Sequence, residues 1–299
     1  MARTVPAKGA SVRALVLDAA ARLERAGVCF GHGTTNAVDE AAWLVLHALG
    51  LPVQELGPYL DLAVDAARAR EASALVAKRI RTRKPAAYLL NEAWLGPHRF
   101  FVDERVIVPR SFIAELLRPR LVPWVREPAG VRRVLDLCTG SGCLAILAAL
   151  AFPKAQVDAA DLSPGALEVA KRNVADYRLA RRVHLVQSDL FGALAGRTYD
   201  VIVSNPPYVT AAAMRKLPEE YLREPAIALA SGRDGLAHAR AILAQAKSHL
   251  HPGGLLVVEI GHNRRALERA FPHAPFQWPD LSAGPGYVIV LGRDDPGFP

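Results

Sequence analysis

The sequence predicts an α/β protein: a doubly wound sheet of seven strands, with a small helical domain before it and a β-hairpin linking the two. Three observations predict this. Apolar runs of strand length at residues 134–137, 155–160, 183–187 and 201–204 alternate with helix-length stretches, as in a parallel sheet whose connections are helices. The first run passes through Gly140-Ser141-Gly142 straight into an apolar helix, and an acidic residue, Asp161, closes the second run about twenty residues later. Before all of these, the chain shows helical periodicity.

In order, residues 14–23 read as a helix stopped by Gly27, Asn36 caps a helix running to Leu49-Gly50, and Asp61 begins a third that runs through Arg83. Residues 1–90 therefore form a helical domain. Between Asn91 and Val108, short apolar runs broken by Gly96-Pro97 and Asp103-Glu104 predict the hairpin, a linker over residues 91–110 with Pro109-Arg110 at the seam. Residues 111–299 then carry the sheet. Beyond the four runs above, residues 254–259, 275–278 and 287–291 supply three more strands, with a helix at 236–250 and a final antiparallel hairpin through Gly284-Pro285-Gly286.

Composition narrows the class. Of 299 residues 51% are hydrophobic, enough for a large core. The three cysteines, Cys29, Cys138 and Cys143, lack metal-ligand spacing, which implies a reduced, metal-free chain. No apolar stretch approaches the roughly twenty residues a membrane helix needs. The first ten residues, with Arg3 and Lys8, lack the apolar centre of a secretion leader, so the expected location is the cytoplasm. A net charge of +8 favours polyanions or an RNA-rich setting. The densest basic cluster, residues 78–84, suits nucleic acid, or simply the carboxyl end of a helix before Pro85. Arg132-Arg133 and Arg181-Arg182 precede strands, where solvated charge is expected.

The chemistry lies at the strand ends. Asn205-Pro206-Pro207-Tyr208 closes the run Val201-Ile202-Val203-Ser204. The Asn205 side-chain oxygen and the Pro206 carbonyl each accept a hydrogen bond, and Tyr208 supplies an aromatic face, a set that grips a planar NH2 group. The plain alternative is a strand that stops at Pro and turns at Asn. About seventy residues upstream, the glycines of Asp136-Leu137-Cys138-Thr139-Gly140-Ser141-Gly142 let backbone approach a ligand, and the free amides of the next helix face a carboxylate or phosphate. Asp161 suits a ribose diol; its alternative is a helix cap, although Ser163-Pro164 serves as cap and first helical residue without it. Asp189, in Ser188-Asp189-Leu190-Phe191, either accepts from an adenine amino group or caps its own turn. Hydride transfer would leave Asn205 to Tyr208 without a task. A sulfonium methyl donor, S-adenosyl-L-methionine, uses all four features.

Asp136-x-x-Thr139-Gly140-Ser141-Gly142 followed by Asn205-Pro206-Pro207-Tyr208 resembles the HemK/Prm family of protein N5-glutamine methyltransferases. Residues 102–111, with Pro109-Arg110-Ser111, and residues 135–143, with Cys138, resemble its PrmB branch, which modifies ribosomal protein L-three. Relatives acting on peptide-release factors usually carry Pro-Arg-Pro-Asp/Glu-Thr-Glu and Asp-x-Gly-Thr-Gly instead. Glu224-Pro225, residues 229–236 and Val257-Val258-Glu259-Ile260-Gly261 are similar too, and the resemblance spans roughly residues 85–291. It implies a Rossmann-like, class I S-adenosylmethionine-dependent methyltransferase. It further implies catalysis by Asn205, Pro206, Pro207 and Tyr208, and acceptor binding by Asn205, Pro206, Tyr208 and Arg110. Donor binding falls to Asp136, Cys138, Thr139, Gly140, Ser141, Gly142, Asp161, Asp189, Leu190 and Asn205, with no metal.

The implied partner is ribosomal protein L-three or a ribosome assembly precursor, with RNA contact through the basic surface and no membrane. The helical domain is expected to choose the target, because the donor and amide sites are generic. Rival readings are glutamine methylation of release factors, adenine N6-methylation of nucleic acid, and an assembly factor that binds without catalysis. Few residues remain for a DNA-reading domain, and the intact tetrapeptide argues for an enzyme. His184 and His262 carry no assignment.

Overall fold

Side chains placed to satisfy free amides start the helices of the first part of the chain. The computed structural model describes residues 10–299, so Arg3 and Lys8 lie outside the described residues. Ser11 Oγ accepts from Ala14 N to open α1 (Val12–Arg25), and Asn36 Oδ1 accepts from Asp39 N to open α2 (Ala37–Ala48). The third helix, α3 (Ala66–Thr82), starts four residues later than the sequence suggested. Asp65 caps it by accepting from Ala67 N and Arg68 N, whereas the carboxylate of Asp61 takes Arg13 instead. A short α4 (Ala86–Leu90) follows.

These helices form one compact unit, residues up to Glu92, which also takes in Pro218–Arg223. Its interior holds a fully buried Arg79 that donates to Glu40 at 2.7 Å and reaches Glu220 at 3.5 Å. Arg83 pairs with Glu220 at 2.8 Å and donates to the carbonyls of Ala26 and Gly27. The basic cluster at residues 78–84 thus turns two of its cations inward, leaving Lys78 and Arg81 exposed.

The second unit comprises Ala93–Leu217 and Glu224–Pro299. It opens with the hairpin β1 (Ala93–Leu95) and β2 (His98–Phe100), joined by Gly96-Pro97. Then come α5 (Ile113–Leu117), β3 (Arg133–Leu137), α6 (Cys143–Ala151), β4 (Gln156–Asp161), α7 (Pro164–Asp176), β5 (Val183–Gln187) and β6 (Tyr199–Ser204). The chain closes with α8 (Ala211–Met214), α9 (Ala237–Ala246), β7 (Leu250–Glu259), α10 (Arg264–Ala270) and β8 (Val288–Gly292). Sheet order is β5-β4-β3-β6-β7-β8, parallel except for β8, which runs antiparallel to β7. The run expected as a further strand at residues 275–278 pairs with β8 through a single antiparallel bridge, Gln277 to Val290. Pro275 opens it and Pro279 follows it, and a ring nitrogen donates no ladder bond.

Alternation along the strands buries both faces. Val134, Val201, Val203, Val288 and Val290 join α5 and α6 in one core, while Leu135, Leu137, Ile202, Ile289 and Leu291 join α9 in the other. Arg182 departs from the expected solvated role: it donates to the carbonyls of Ala149, Phe152 and Ala155. The last turn of α6 has no basic residue of its own to take those groups. Among the described residues no helix is long and apolar enough to cross a membrane.

Candidate functional site

The strand order reverses between β3 and β6, the place where an open α/β sheet leaves a crevice at its carboxyl ends. There Leu137 pairs with Ser204, whose hydroxyl donates to the Leu137 carbonyl at 2.8 Å. One residue further on, the two strands give way to Cys138 of the glycine motif and to Asn205.

The turn after β3 runs through left-handed backbone at Cys138 (φ 60°), Gly140 and Gly142. Cysteine lacks glycine's freedom there, a strain of roughly 1–3 kcal/mol of the kind that collects at ligand sites. At Gly142 a Cβ would stand 3.1 Å from that of Ala170 on α7, and with φ at 79° the position favours glycine on both counts. Asp136, fully buried, holds the turn from below: its Oδ2 accepts from Thr139 Oγ1 at 2.5 Å and from Ala145 N in the first turn of α6 at 3.0 Å. Its Oδ1 has no hydrogen-bond partner among the described residues. Burial, with the Asp161 charge adding, pushes its carboxyl up to about 7 against both donors.

Asp161 at the end of β4 accepts from Gly140 N (2.8 Å) and Ser163 N (2.9 Å), tying two strand ends together while its carboxylate lines the crevice. Burial raises its carboxyl above the usual range. Helix α7 is capped by Ser163 with Pro164 behind it, so the cap does not require Asp161. After β5, Ser188 closes the turn by donating to Leu190 O and accepting from Ala193 N. Asp189 makes no side-chain hydrogen bond among the described residues and faces the same crevice, beside Leu190 (φ 44°). Cys138, Gly140, Asp161, Asp189, Leu190, Asn205 and Pro207 share this lining; Asp136, Thr139, Ser141 and Gly142 support it from outside. Carboxylates flanked by apolar Ile107, Leu162 and Leu190 suit a nucleoside. Among the described residues no metal cluster forms, and burial drives the Cys143 thiol up to about 12.

On the acceptor side, Asn205 Oδ1 is buried with no hydrogen-bond partner among the described residues. An unsatisfied buried acceptor costs about 1–3 kcal/mol, so something must repay it when the site works. The Pro206 carbonyl accepts no backbone hydrogen bond among the described residues. Tyr208 packs its ring where a Cβ on Gly261 would lie 2.6 Å away, its carbonyl accepts from Asn263 Nδ2, and its hydroxyl donates to Glu259 at 3.3 Å. Arg110 forks onto Glu224 at 2.6 and 2.7 Å, and Glu224 also accepts from Val108 N.

A model of the methyltransferase small domain matches residues 120–234. The chain is 53% identical to the ribosomal protein uL3 glutamine methyltransferase of Neisseria meningitidis serogroup B over 95% of this chain and 93% of that protein. Identity to the protein of the same name from Bordetella pertussis is 54%, covering 95% of each. The chain belongs to the ribosomal protein uL3 glutamine methyltransferase family. Among solved structures, the human Mettl16 catalytic domain in complex with an RNA hairpin shares the fold, at TM-score 0.50 and 14% identity over 79% of this chain and 86% of that one.

Within this uL3 glutamine methyltransferase relative, several cleft residues escaped the sequence reading. Arg105, Val106 and Ile107, read as the end of the hairpin region, line the crevice. They are brought there by Asn173, whose side chain bonds both Phe101 N and O and the Ser141 carbonyl. His238 lines it too, with Nδ1 2.8 Å from Ser231 Oγ and burial lowering its pKa. A lone Asn on a helix and a lone His after a loop carry no sequence signal.

Proposed function

We propose that this chain transfers a methyl group from S-adenosylmethionine to the side-chain nitrogen of a glutamine on ribosomal protein uL3. The carrying observation is the buried, unpartnered Asn205 oxygen at the switch point, beside a crevice of nucleoside character. Membership of a family whose relatives bear that name supplies the acceptor.

S-adenosylmethionine supplies a sulfonium-bound methyl group when bound. Asp161 would take the ribose hydroxyls, Asp189 the adenine amino group, and Cys138 and Gly140 the close backbone approach, with Leu190 as an apolar wall. Asp136, Thr139, Ser141 and Gly142 hold the turn's shape. An amide nitrogen is a weak nucleophile because its lone pair is delocalised, so catalysis rests on positioning and local dipoles. Asn205 Oδ1 and the Pro206 carbonyl each accept one N–H, while Pro207 and Tyr208 bound the amide plane. Arg110 acts through Glu224, fixing residues 108–110 rather than touching the amide. Residues 1–90 select the target, and the exposed Lys78 and Arg81 are the part of the basic cluster left for RNA of a ribosome precursor in the cytoplasm.

Incubation with labelled donor and a ribosomal-protein fraction tests this. Label on a glutamine of uL3 is the expected result; label on no ribosomal protein, with donor binding intact, refutes it.

A further inference from the structure

Glu259 is a buried carboxylate with no role in the reading above. It ends β7 at 1% exposure. Its Oε2 accepts from Ser111 Oγ at 2.6 Å and from Phe112 N at 3.0 Å, and its Oε1 accepts from the Tyr208 hydroxyl at 3.3 Å. Ser111 Oγ in turn accepts from Ile113 N at 3.2 Å, which anchors the group to the start of α5.

We infer that Glu259, held by Ser111, is a positioning residue that fixes the Tyr208 ring as the wall against which the acceptor amide lies. The inference rests on the acceptor role proposed above for Tyr208. A ring that merely filled space would need no acid behind it, since phenylalanine packs equally well, and a desolvated carboxylate is costly to keep in a core. Tyr208 is instead restrained at three points: its hydroxyl by Glu259, its ring by the missing side chain of Gly261, and its carbonyl by Asn263. Together these leave the ring one orientation before any acceptor arrives, and a preset wall lowers the ordering needed on binding.

The ionisation state matters to this chain of bonds. Burial pushes the Glu259 carboxyl up to about 7, against the donors Ser111, Phe112 and Tyr208 and the charge of Arg110; the charge of Glu224 also acts on Tyr208. As a carboxylate, Glu259 accepts from all three donors. Protonated on Oε1, it would donate to the Tyr208 oxygen and force the Tyr208 hydrogen elsewhere.

The test is a double-mutant cycle on methyl transfer to purified uL3, with donor affinity measured on the same preparations. Glu259→Gln is expected to lower kcat/KM for uL3 tenfold or more, with donor Kd unchanged within twofold. In the Tyr208→Phe background the same change should alter the rate less than twofold, because the hydroxyl through which Glu259 acts is gone. Ser111→Ala should give a smaller loss that likewise vanishes beside Tyr208→Phe, and it carries the cycle alone if Glu259→Gln does not fold. Losses that multiply in the double variants, or donor affinity falling together with transfer, would overturn the positioning role. An unaltered enzyme that binds donor yet leaves uL3 unmethylated would overturn the acceptor reading instead.

Discussion

Replacing Asn205 by alanine separates stability from function in a way few substitutions do. In the free protein its Oδ1 is a buried acceptor without a partner, a state that costs about 1–3 kcal/mol. Alanine removes that orphaned atom together with the packing of a half-buried side chain, so the two changes offset and folding stability should stay within about 1 kcal/mol of the parent. Transfer should behave differently. One acceptor that orients the reacting amide is lost, and by analogy with removal of an oxyanion-hole donor the rate should fall about 100- to 1000-fold, or ~2.7–4 kcal/mol. The assay pairs thermal unfolding and donor calorimetry with labelled methyl transfer to uL3. A variant that transfers methyl at the parent rate, or that loses more than about 2 kcal/mol of stability, would refute the reasoning, the latter by showing that Asn205 is a structural strand end.

Asp161→Ala should weaken donor binding by roughly 1.5–3 kcal/mol, the worth of hydrogen bonds to a charged acceptor, and also free Gly140 N; unchanged affinity in titration calorimetry would return Asp161 to its backbone role. Asp136 is raised in the folded state, so its neutral form is favoured: its contribution is full below the unfolded carboxyl range, near 4, and is lost as pH rises to about 7. Asp136→Asn, which cannot ionise, should therefore gain stability relative to the parent between those pH values, and denaturant titrations showing a pH-independent difference would contradict this. Arg79→Ala should destabilise the helical unit by about 3–5 kcal/mol, because it strands buried Glu40 without its cation and leaves Glu220 with Arg83 alone; a loss under about 1 kcal/mol in urea unfolding would show the Glu40 carboxyl to be satisfied otherwise.

The strand ends were the most legible part of the molecule, because a parallel sheet buried on both faces writes its strands as apolar runs and its crevice as small or polar residues just past them. Val134 to Gly142 and Val201 to Tyr208 both obey that rule. What escaped was long-range: Asn173 pulls residues 101–107 onto the glycine turn, and Glu220 returns to the helical unit from 128 residues beyond Glu92. Neither sits in a periodic pattern. The start of α3 was misjudged because Asp61 and Asp65 are equally good caps in sequence, and only the position of Arg13 decides between them. The densest basic cluster was legible only in part for the same reason: charge in sequence does not reveal that Arg79 points inward at two buried acids.

The choice of acceptor is the central claim, and a single competition addresses it. The enzyme is given labelled donor with purified uL3, a class-one release factor and an adenine-containing DNA duplex in the same reaction, and the modified residue is read by mass spectrometry. The account predicts N5-methylglutamine in uL3 and no label in the other two. Methyl incorporation into the release factor or the duplex, with uL3 left unmodified, would contradict it.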